Sequence, residues 1–353
     1  MGKVTTEQLA RYLNLSRSTV SKALNGHSSV SEATRKIVLK TAYQFGYMEY
    51  PAHAESLSMV PREGAVYVLL VAEMVKNRFW NVMLDGLEDY LFHNGYPTKK
   101  MILDQSMIAG GKAVRIPDDA VGLIVVGSRT RQLYKMIVAQ GKPVVSIDTS
   151  ADTQGNNLLC DVVMMNNRSC VYEIASYMIR YGRKKIAFIG NKYQSLSVWE
   201  RWHGYQQALM EFGTVNRAFE PLLKISLDAD KPLIYNTLSQ LDTLPDACIC
   251  ANDVLAINTY QALEHLHLSV PKDVMLSGFD CFDSMPIERR FLNELTSVAF
   301  DIREVGRIAA RQLLYRIEAS QAPFGIYSVE SKVVYRASTE VDVERIAFNK
   351  QYL

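Results

Sequence analysis

Residues 4–24 read VTTEQLARYLNLSRSTVSKAL, and this stretch predicts two short helices that meet at a tight turn. Thr5 stands three residues before Gln8, which is the spacing of a capping box, so the first helix is expected to begin there. Residues 14–15 form the turn. Ser16 carries the hydroxyl that a helix N-cap needs, and it is expected to start the second helix.

The second helix has one apolar and one polar face. Val20 and Leu24 are four residues apart, so they are expected to pack together against the first helix. The opposite face is short, polar and basic, with Arg17, Ser18, Thr19 and Lys22. A helix that offers hydrogen-bond donors at its N-terminal end, and is braced by a second helix, can reach base edges in a DNA major groove.

A third helix and the local charge complete the N-terminal unit. Ser31 is expected to cap a helix that ends at Phe45, with a buried stripe of Ile37, Val38, Thr41, Ala42 and Phe45. Residues 1–48 hold seven Lys or Arg against two Glu, whereas the whole chain has a formal net charge of +2. A basic unit on a mildly acidic body is typical of a nucleic-acid-binding protein, because phosphate neutralisation supplies most non-specific affinity.

Residues 4–47 resemble the headpiece of the LacI/GalR family of bacterial transcription regulators, and later motifs follow that family almost to the C-terminus. The resemblance implies a helix-turn-helix protein that binds operator DNA as a dimer and is controlled by a small molecule. It also implies a two-part α/β effector domain like the type I periplasmic binding proteins. The residues expected to contact DNA in the headpiece are Thr5, Ser16, Arg17, Ser18, Thr19, Ser21, Lys22, Asn25 and His27.

The linker after the headpiece, residues 49–63, contains the stretch Ala54-Glu55-Ser56-Leu57. In the resembling family, a hinge helix of this form places its leucine in the minor groove and kinks the DNA, so Leu57 is expected to contact DNA. Glu55 would then face phosphates and oppose docking. A flexible tether is the alternative for the free protein.

The composition is that of an ordinary soluble protein with two or three domains. The 353 residues are 48% apolar and 22% charged. No apolar signal segment begins the chain and no run of 18 apolar residues occurs, so a cytoplasmic location without a membrane span is expected. The five cysteines form no C-x-x-C pair, which favours buried reduced thiols over a metal site. No cofactor is expected.

From residue 65 onward, short apolar strands alternate with amphipathic helices, which predicts two doubly wound α/β halves with parallel sheets. The expected divisions are a headpiece at 1–48, the linker at 49–63, and an effector-binding and dimerisation domain at 64–353. Within that domain, the first half is expected to comprise 64–161 and 296–323, and the second 162–295 and 324–340. Such sheets bind ligands beyond the carboxyl ends of their strands, so a cleft between the halves is the candidate site.

Polar and aromatic residues follow several of the predicted strands. Arg201 lies in SVWERWHGY, residues 197–205, which resembles the family's S-x-x-x-R-x-x-G-Y segment with its ligand-contacting arginine. Guanidinium and carboxamide donors, carboxylate acceptors and aromatic faces together suit a polyol such as a sugar. The expected effector-binding residues are Asn77, Phe79, Trp80, Asp148, Trp199, Arg201, Asn252 and Asp280.

Several of these residues also have a purely structural explanation. Asp148 can cap the next helix, since an aspartate after a strand often does so. One of Phe79 and Trp80 is expected to belong to the core of its helix. Asn252 and Asp253 can cap the helix that follows them, and Asp253 is the favoured cap of the two.

The sequence therefore predicts a homodimeric repressor of carbohydrate-utilisation genes that binds a pseudo-palindromic operator and responds to a sugar. A nucleobase or nucleoside, or a partner protein, is the alternative effector. A carbohydrate-active enzyme that uses Asp148 and Asp280 is the alternative of another class, although no G-x-S-x-G, Walker A or H-E-x-x-H motif accompanies them. Residues 340–353 are too few for a tetramerising coiled coil.

Overall fold

The computed structural model describes residues 5–25, 27, 29–44, 62–75, 78–104, 113–127, 130–153, 158–213, 217–281 and 289–340. The stretch with Glu55 and Leu57, the candidate residue Asn77 and residues 341–353 lie outside these ranges. Three expectations therefore stay predictions: the hinge helix, the role of Asn77, and the absence of a tetramerising coiled coil at the C-terminus.

The headpiece contains three helices: α1 (Thr6–Leu13), α2 (Arg17–Leu24) and α3 (Glu32–Gln44). Both hydrogen bonds of the predicted capping box join Thr5 and Gln8. The Ser16 hydroxyl accepts a hydrogen bond from the Thr19 backbone N–H at 3.0 Å, so it caps α2. The predicted helix-turn-helix is confirmed.

The three helices share a small apolar core. Val20 and Val38 are fully buried there, together with Ala23 and Ala42. Ile37 was expected in this core, but it is 54% exposed. The buried face of α3 contains the next residues, Val38 and Leu39, and one residue along a helix corresponds to about 100° of rotation.

A six-stranded parallel sheet forms the first α/β half. Its strands are β1 (Ala65–Val71), β2 (Thr98–Leu103), β3 (Ala120–Val126), β4 (Val144–Ile147), β5 (Asp161–Met165) and β10 (Ile326–Val329). They lie in the order β10-β5-β4-β3-β1-β2. The helices are α4 (Ala72–Val75), α5 (Arg78–His93), α6 (Arg131–Val138) and α12 (Ile302–Glu318). β1 is buried along its whole length, as a parallel strand covered on both faces must be.

The second half is built on three parallel strands. They are β6 (Ile186–Ile189), β7 (Ala247–Cys250) and β8 (Met275–Ser277), in that order. The helices are α7 (Asn167–Arg180), α8 (Leu196–Glu211), a 3₁₀ helix (Arg217–Lys224), α9 (Lys231–Ser239), α10 (Asp253–His265) and α11 (Arg289–Glu294). β9 (Ser297–Phe300) and β11 (Ser331–Val334) form a separate antiparallel pair.

The structure departs from the expected boundaries between the halves at two strands. Residues 162–165 and 326–329 were expected in the second half, but β5 and β10 belong to the first sheet. Their pairing is anchored by the fully buried carboxylate of Asp161, which lies 2.6 Å from Arg316 Nη2 and accepts a hydrogen bond from the Gly325 N–H. The chain leaves this sheet after Val329, not near Phe324. The other residue ranges that were expected for the headpiece, the linker and the two halves stay a prediction.

A close helix crossing positions the candidate effector residues. Gly204 of α8 lies against the backbone of Arg168 in α7, and a Cβ at position 204 would overlap the Arg168 carbonyl oxygen. The absence of a side chain therefore lets α8 approach the first turn of α7. Arg201 lies one turn before Gly204 and thereby comes within reach of Asn167 at the start of α7.

Candidate DNA-binding and effector sites

The exposed face of α2 carries the residues expected to contact DNA. Arg17, Ser18 and Lys22 are exposed, and Val20 and Ala23 are buried on the other side. Of the other expected contacts, Thr5 and Ser16 serve as exposed helix caps, Thr19 and Ser21 are half-buried, and Asn25 and His27 are exposed. Arg17, Ser18 and Lys22 therefore present their side chains to solvent on the face that is predicted to read DNA.

Arg201 is the central residue of the candidate effector site. It is only 4% exposed, yet each part of its guanidinium has a partner. Nε donates to Asn167 Oδ1 at 2.8 Å, Nη1 donates to the Ala251 carbonyl, and Nη2 lies 3.7 Å from Asp280 Oδ1. The guanidinium also stacks over the Phe279 ring, 3.5 Å from the ring centre. This satisfies the requirement that a buried charge be paired and hydrogen-bonded.

Asp280 follows β8, as the sequence predicts, and its carboxylate faces Arg201. Burial raises the pKa of Asp280 to about 7, and the neighbouring Asp253 adds to the shift, whereas Arg201 opposes it. Its backbone has φ = 112°, in the region that favours glycine. A carboxylate that titrates near neutrality on a strained backbone is typical of a functional site.

Asp148 joins the two halves. Its Oδ1 accepts hydrogen bonds from the Thr149 N–H at 2.8 Å and from the Ser197 N–H, in the first turn of α8, at 3.0 Å. The adjacent Leu196 N–H donates to the Thr149 carbonyl at 2.8 Å. Asp148 therefore does cap a helix, but the helix belongs to the other half and does not follow β4 directly. Its φ of 59° is also left-handed.

The helix cap is Asn252 and not Asp253, the favoured candidate, whereas the expected contact of Asn252 with an effector stays a prediction. The Asn252 side chain caps α10 by accepting from the Leu255 N–H at 2.8 Å, and its amide donates to the Leu227 carbonyl at 3.3 Å. Asp253, the favoured cap, is instead buried and accepts a hydrogen bond from the Ser297 hydroxyl at 2.7 Å. The reason is that the chain is still extended at Asn252, and extended backbone is the N-cap conformation.

The aromatic candidates divide between core and surface. Phe79 is 9% exposed and packs edge-to-face on Trp80 and Phe300, so it is the core residue of the pair. Trp80 is half-buried. Trp199 packs on Trp202 and His203 and lines a cavity that Arg201 does not line.

That cavity has a volume of about 320 Å³ and lies beside β5, β10 and the first turns of α7 and α8. None of Asp148, Arg201, Asn252 and Asp280 lines it. Among the expected effector residues that the structure describes, Arg201 lies beside Asp280 and within electrostatic range of Asp148, whereas Trp199 lines the cavity. A single site formed by all eight residues stays a prediction.

The described ranges contain neither a metal-binding cluster nor a membrane-spanning helix. No group of three or more His, Cys, Asp and Glu residues in them could hold a metal ion. Four of the five cysteines are buried and Cys281 is half-buried, all as free thiols. No helix within these ranges is long and apolar enough to cross a membrane.

Sequence reasoning missed three members of the Arg201 network. Asn167 holds the guanidinium, Phe279 stacks under it, and Asp253 contributes a second buried carboxylate. The sequence feature that could have identified each of these three residues was present but weak. Asn167 lies two residues after the end of β5, and Phe279 and Asp253 are each the neighbour of a residue that was chosen.

Two family models match the chain. The lacI family of bacterial regulatory proteins matches residues 6–49, and the periplasmic binding protein-like domain matches residues 175–339. The two matches together cover more than half of the chain. They contain the helix-turn-helix and most of the second half with β9 and β11.

Relatives that match over nearly their whole length are named as transcription repressors. The HTH-type transcriptional repressor PurR of Vibrio parahaemolyticus is 24% identical, with 94% of this chain and 97% of that protein covered. The ribose operon repressor of Haemophilus influenzae is 25% identical, with 95% and 98% covered. The structure of a lac repressor dimer bound to operator and the anti-inducer ONPF has the same fold, with a TM-score of 0.63, 19% identity, and 96% and 100% covered. These proteins are regulators and not enzymes, and this chain belongs to the lacI family of bacterial transcription regulators.

Proposed function

We propose that this repressor controls carbohydrate-utilisation genes and that an uncharged sugar or sugar derivative, bound at Arg201 and Asp280, sets its affinity for the operator. The name of one relative, the ribose operon repressor, supports a carbohydrate connection. The observation that carries the effector class is the geometry of the Arg201–Asp280 pair.

The two charged groups are close but not hydrogen-bonded. Arg201 Nη2 and Asp280 Oδ1 are 3.7 Å apart, which exceeds the length of a hydrogen bond. A hydroxyl group is both a donor and an acceptor, so one hydroxyl can accept from the guanidinium and donate to the carboxylate. The Asp280 side chain is 21% exposed and can be reached by a ligand.

The charge of the surroundings favours an uncharged effector. Arg201 is the cation of a network in which the described residues Asp148, Asp253 and Asp280 supply three carboxyl groups. A sugar phosphate would bring further negative charge into this buried region, where electrostatic repulsion is weakly screened. Nε and Nη1 of the guanidinium already donate to protein acceptors, and Nη2 faces the Asp280 carboxylate. A neutral hydroxyl can still accept from Nη2, but the positive charge of Arg201 is already matched by a protein carboxylate and would not neutralise a phosphate as well.

On the DNA side, we propose that two copies of the headpiece bind a pseudo-palindromic operator. One α2 helix exposes only a few side chains and reads too few bases, so two-fold pairing doubles the contact. Effector binding would then act by favouring one closure state of the two halves. Binding to operator DNA requires the protein to work in the cytoplasm.

A thermal-shift screen of the full-length protein tests the effector class. The panel contains neutral sugars, sugar phosphates, and nucleobases or nucleosides. A ligand present at about 100 times its Kd adds about 2.7 kcal/mol of stability. We expect a neutral sugar to stabilise the wild-type protein and to change its affinity for operator DNA, and Arg201→Ala to abolish both effects. Arg311→Ala removes an exposed arginine outside the site and is the matched control.

Three results would contradict this proposal. Stabilisation by a nucleobase alone would replace the sugar with the alternative small-molecule effector. Stabilisation by a sugar phosphate that survives Arg201→Ala would place the effector outside this network. A protein that responds to no member of the panel, but changes its operator affinity when a second protein is added, would be controlled by a partner.

A further inference from the structure

We propose that the cavity beside Trp199 is a second small-molecule site, which adjoins the Arg201 network and shares Asn167 with it, and that it takes an uncharged planar aromatic compound. The cavity has a volume of about 320 Å³, at the lower end of the range for sites that enclose a small organic ligand. It opens at the free edge of the six-stranded sheet, where Ile326 and Ser328 of β10 are exposed. A ligand can therefore enter it from solvent.

The first turn of α8 separates this cavity from the proposed effector site. Leu196, Trp199 and Glu200 are spaced i, i+3 and i+4, so they share one helix face, and all three line the cavity. Ser197 and Arg201 are also four residues apart and form the bonds to Asp148 and Asn167. The first turn of α8 thus lines the cavity with one face and contacts Asp148 and Asn167 with the other.

The walls favour a flat apolar ligand. Met164, Met165, Leu196 and Ile326 supply aliphatic and thioether surface, and Trp199 supplies an indole. Methionine sulfur makes favourable contacts with aromatic rings and adapts to irregular shapes. A polyol would bury many hydroxyl groups against these walls without partners, and each such group costs free energy. A planar aromatic compound avoids that cost.

The polar groups of the cavity suit an uncharged ligand with one hydrogen-bonding edge. Asn166 lines the cavity, and its carboxamide neither caps α7 nor bonds to any described residue. It can both donate to and accept from a ligand. Arg168 and Glu200 lie at the rim with opposite charges, so the site has no net preference for a cation or an anion.

The cavity also couples to the movement of the two halves. Met164 and Ile326 belong to the first sheet, whereas Asn166 and Trp199 belong to the first turns of the second half. Leu196 packs on Val162 and Met164 across this boundary. A compound that contacts both sides binds one closure state better than another, so it must shift the equilibrium between them.

The test is a calorimetric titration of the full-length protein with coumarin, an uncharged two-ring heterocycle, with quenching of tryptophan emission as a second signal. We expect saturable binding to the wild type. Ser328→Phe places a phenyl ring at the mouth of the cavity, in the space that the ligand needs, and should weaken binding at least about tenfold, which corresponds to about 1.4 kcal/mol. Ser320→Phe makes the same change at an exposed serine outside the cavity and should bind as the wild type does.

Trp199→Leu provides a second variant that keeps an apolar side chain, and it should also weaken binding. Saturating coumarin should change the affinity of the wild-type protein for labelled operator DNA, and this change should disappear in Ser328→Phe.

Absence of saturable binding would overturn the proposal, as would equal binding by Ser328→Phe and the wild type. Loss of binding in Asp280→Asn with full retention in Ser328→Phe would assign coumarin to the Arg201 network. Binding without any change in operator affinity would refute the coupling.

Discussion

The carboxylate of Asp148, at the end of a strand in the first half, accepts a hydrogen bond from the Ser197 N–H in the first turn of α8, which belongs to the second half. The distance is 3.0 Å. A negative charge at a helix N-terminus is stabilised by the helix dipole as well as by the hydrogen bond. The contact therefore stabilises the closure state seen here, and its strength depends on a single side chain.

Asp148→Gly should loosen this contact without backbone strain, because glycine accepts the φ of 59° at this position. Loss of a helix cap costs about 1 kcal/mol. The amide of Ser197 should then exchange with solvent several-fold faster, as measured by hydrogen exchange. Asp148→Asn keeps an acceptor oxygen and should have a smaller effect. Unchanged exchange at Ser197 in the glycine variant would show that the contact does not hold the two halves together.

Gly204→Ala should weaken the effector site from a distance. The new methyl group would overlap the Arg168 carbonyl and push α8 away from α7, at a cost of about 1–3 kcal/mol. Arg201 would then move away from Asn167, so effector affinity should fall along with the melting temperature. Met210→Ala, on the exposed side of the same helix, is the control and should change stability by less than about 0.5 kcal/mol. Equal effects of the two substitutions would contradict a close crossing.

The pKa of Asp280 predicts how stability changes with pH. Burial raises this pKa to about 7 in the folded protein from its ordinary value of 3.8, so the folded state binds the extra proton between these values. Stability must then fall as pH rises from about 4 to about 7, by at most about 1.4 kcal/mol per pH unit. The groups that face Asp280 are Arg201, which lowers its pKa, and Asp253, which raises it.

Asp280→Asn removes this titration and leaves the others in place. The difference in unfolding free energy between the variant and the wild type should therefore shift in favour of the variant from pH 4 to pH 7, and level off above pH 7. Thermal or urea unfolding at four or five pH values measures it. A difference that is independent of pH would mean that Asp280 keeps an ordinary pKa.

Local patterns in the sequence predicted the headpiece and the two α/β halves because caps, helix periodicity and buried strands are short-range signals. The pairing of β10 with β5 was not predicted, since it depends on Asp161 and Arg316, which are 155 residues apart. The Arg201 network was predicted only in part for the same reason. Asp148 and Asp280 were found because they end strands, but no sequence rule shows that both have positive φ or that Asn252 and not Asp253 caps α10.

The exposed face of α2 predicts specific losses in DNA binding. Lys22→Ala and Arg17→Ala should each cost about 1–3 kcal/mol on the cognate operator, because a side chain that reads a base edge contributes that much discrimination. Non-specific DNA should lose less. The measurement is a pair of titrations with operator and with random DNA of equal length. Equal losses on both would identify these two residues as phosphate contacts only.

Glu55 lies outside the described residues, and the prediction for it follows from the sequence alone. If residues 54–57 form a hinge helix that places Leu57 in the minor groove, the Glu55 carboxylate faces phosphates and opposes docking. Glu55→Gln removes that charge, so operator affinity should rise. The gain should be larger at low salt, where screening is weaker. Leu57→Ala should lower operator affinity and leave the melting of the α/β domain unchanged. Titrations of both variants at two salt concentrations distinguish this hinge from a flexible tether, for which neither substitution changes the affinity.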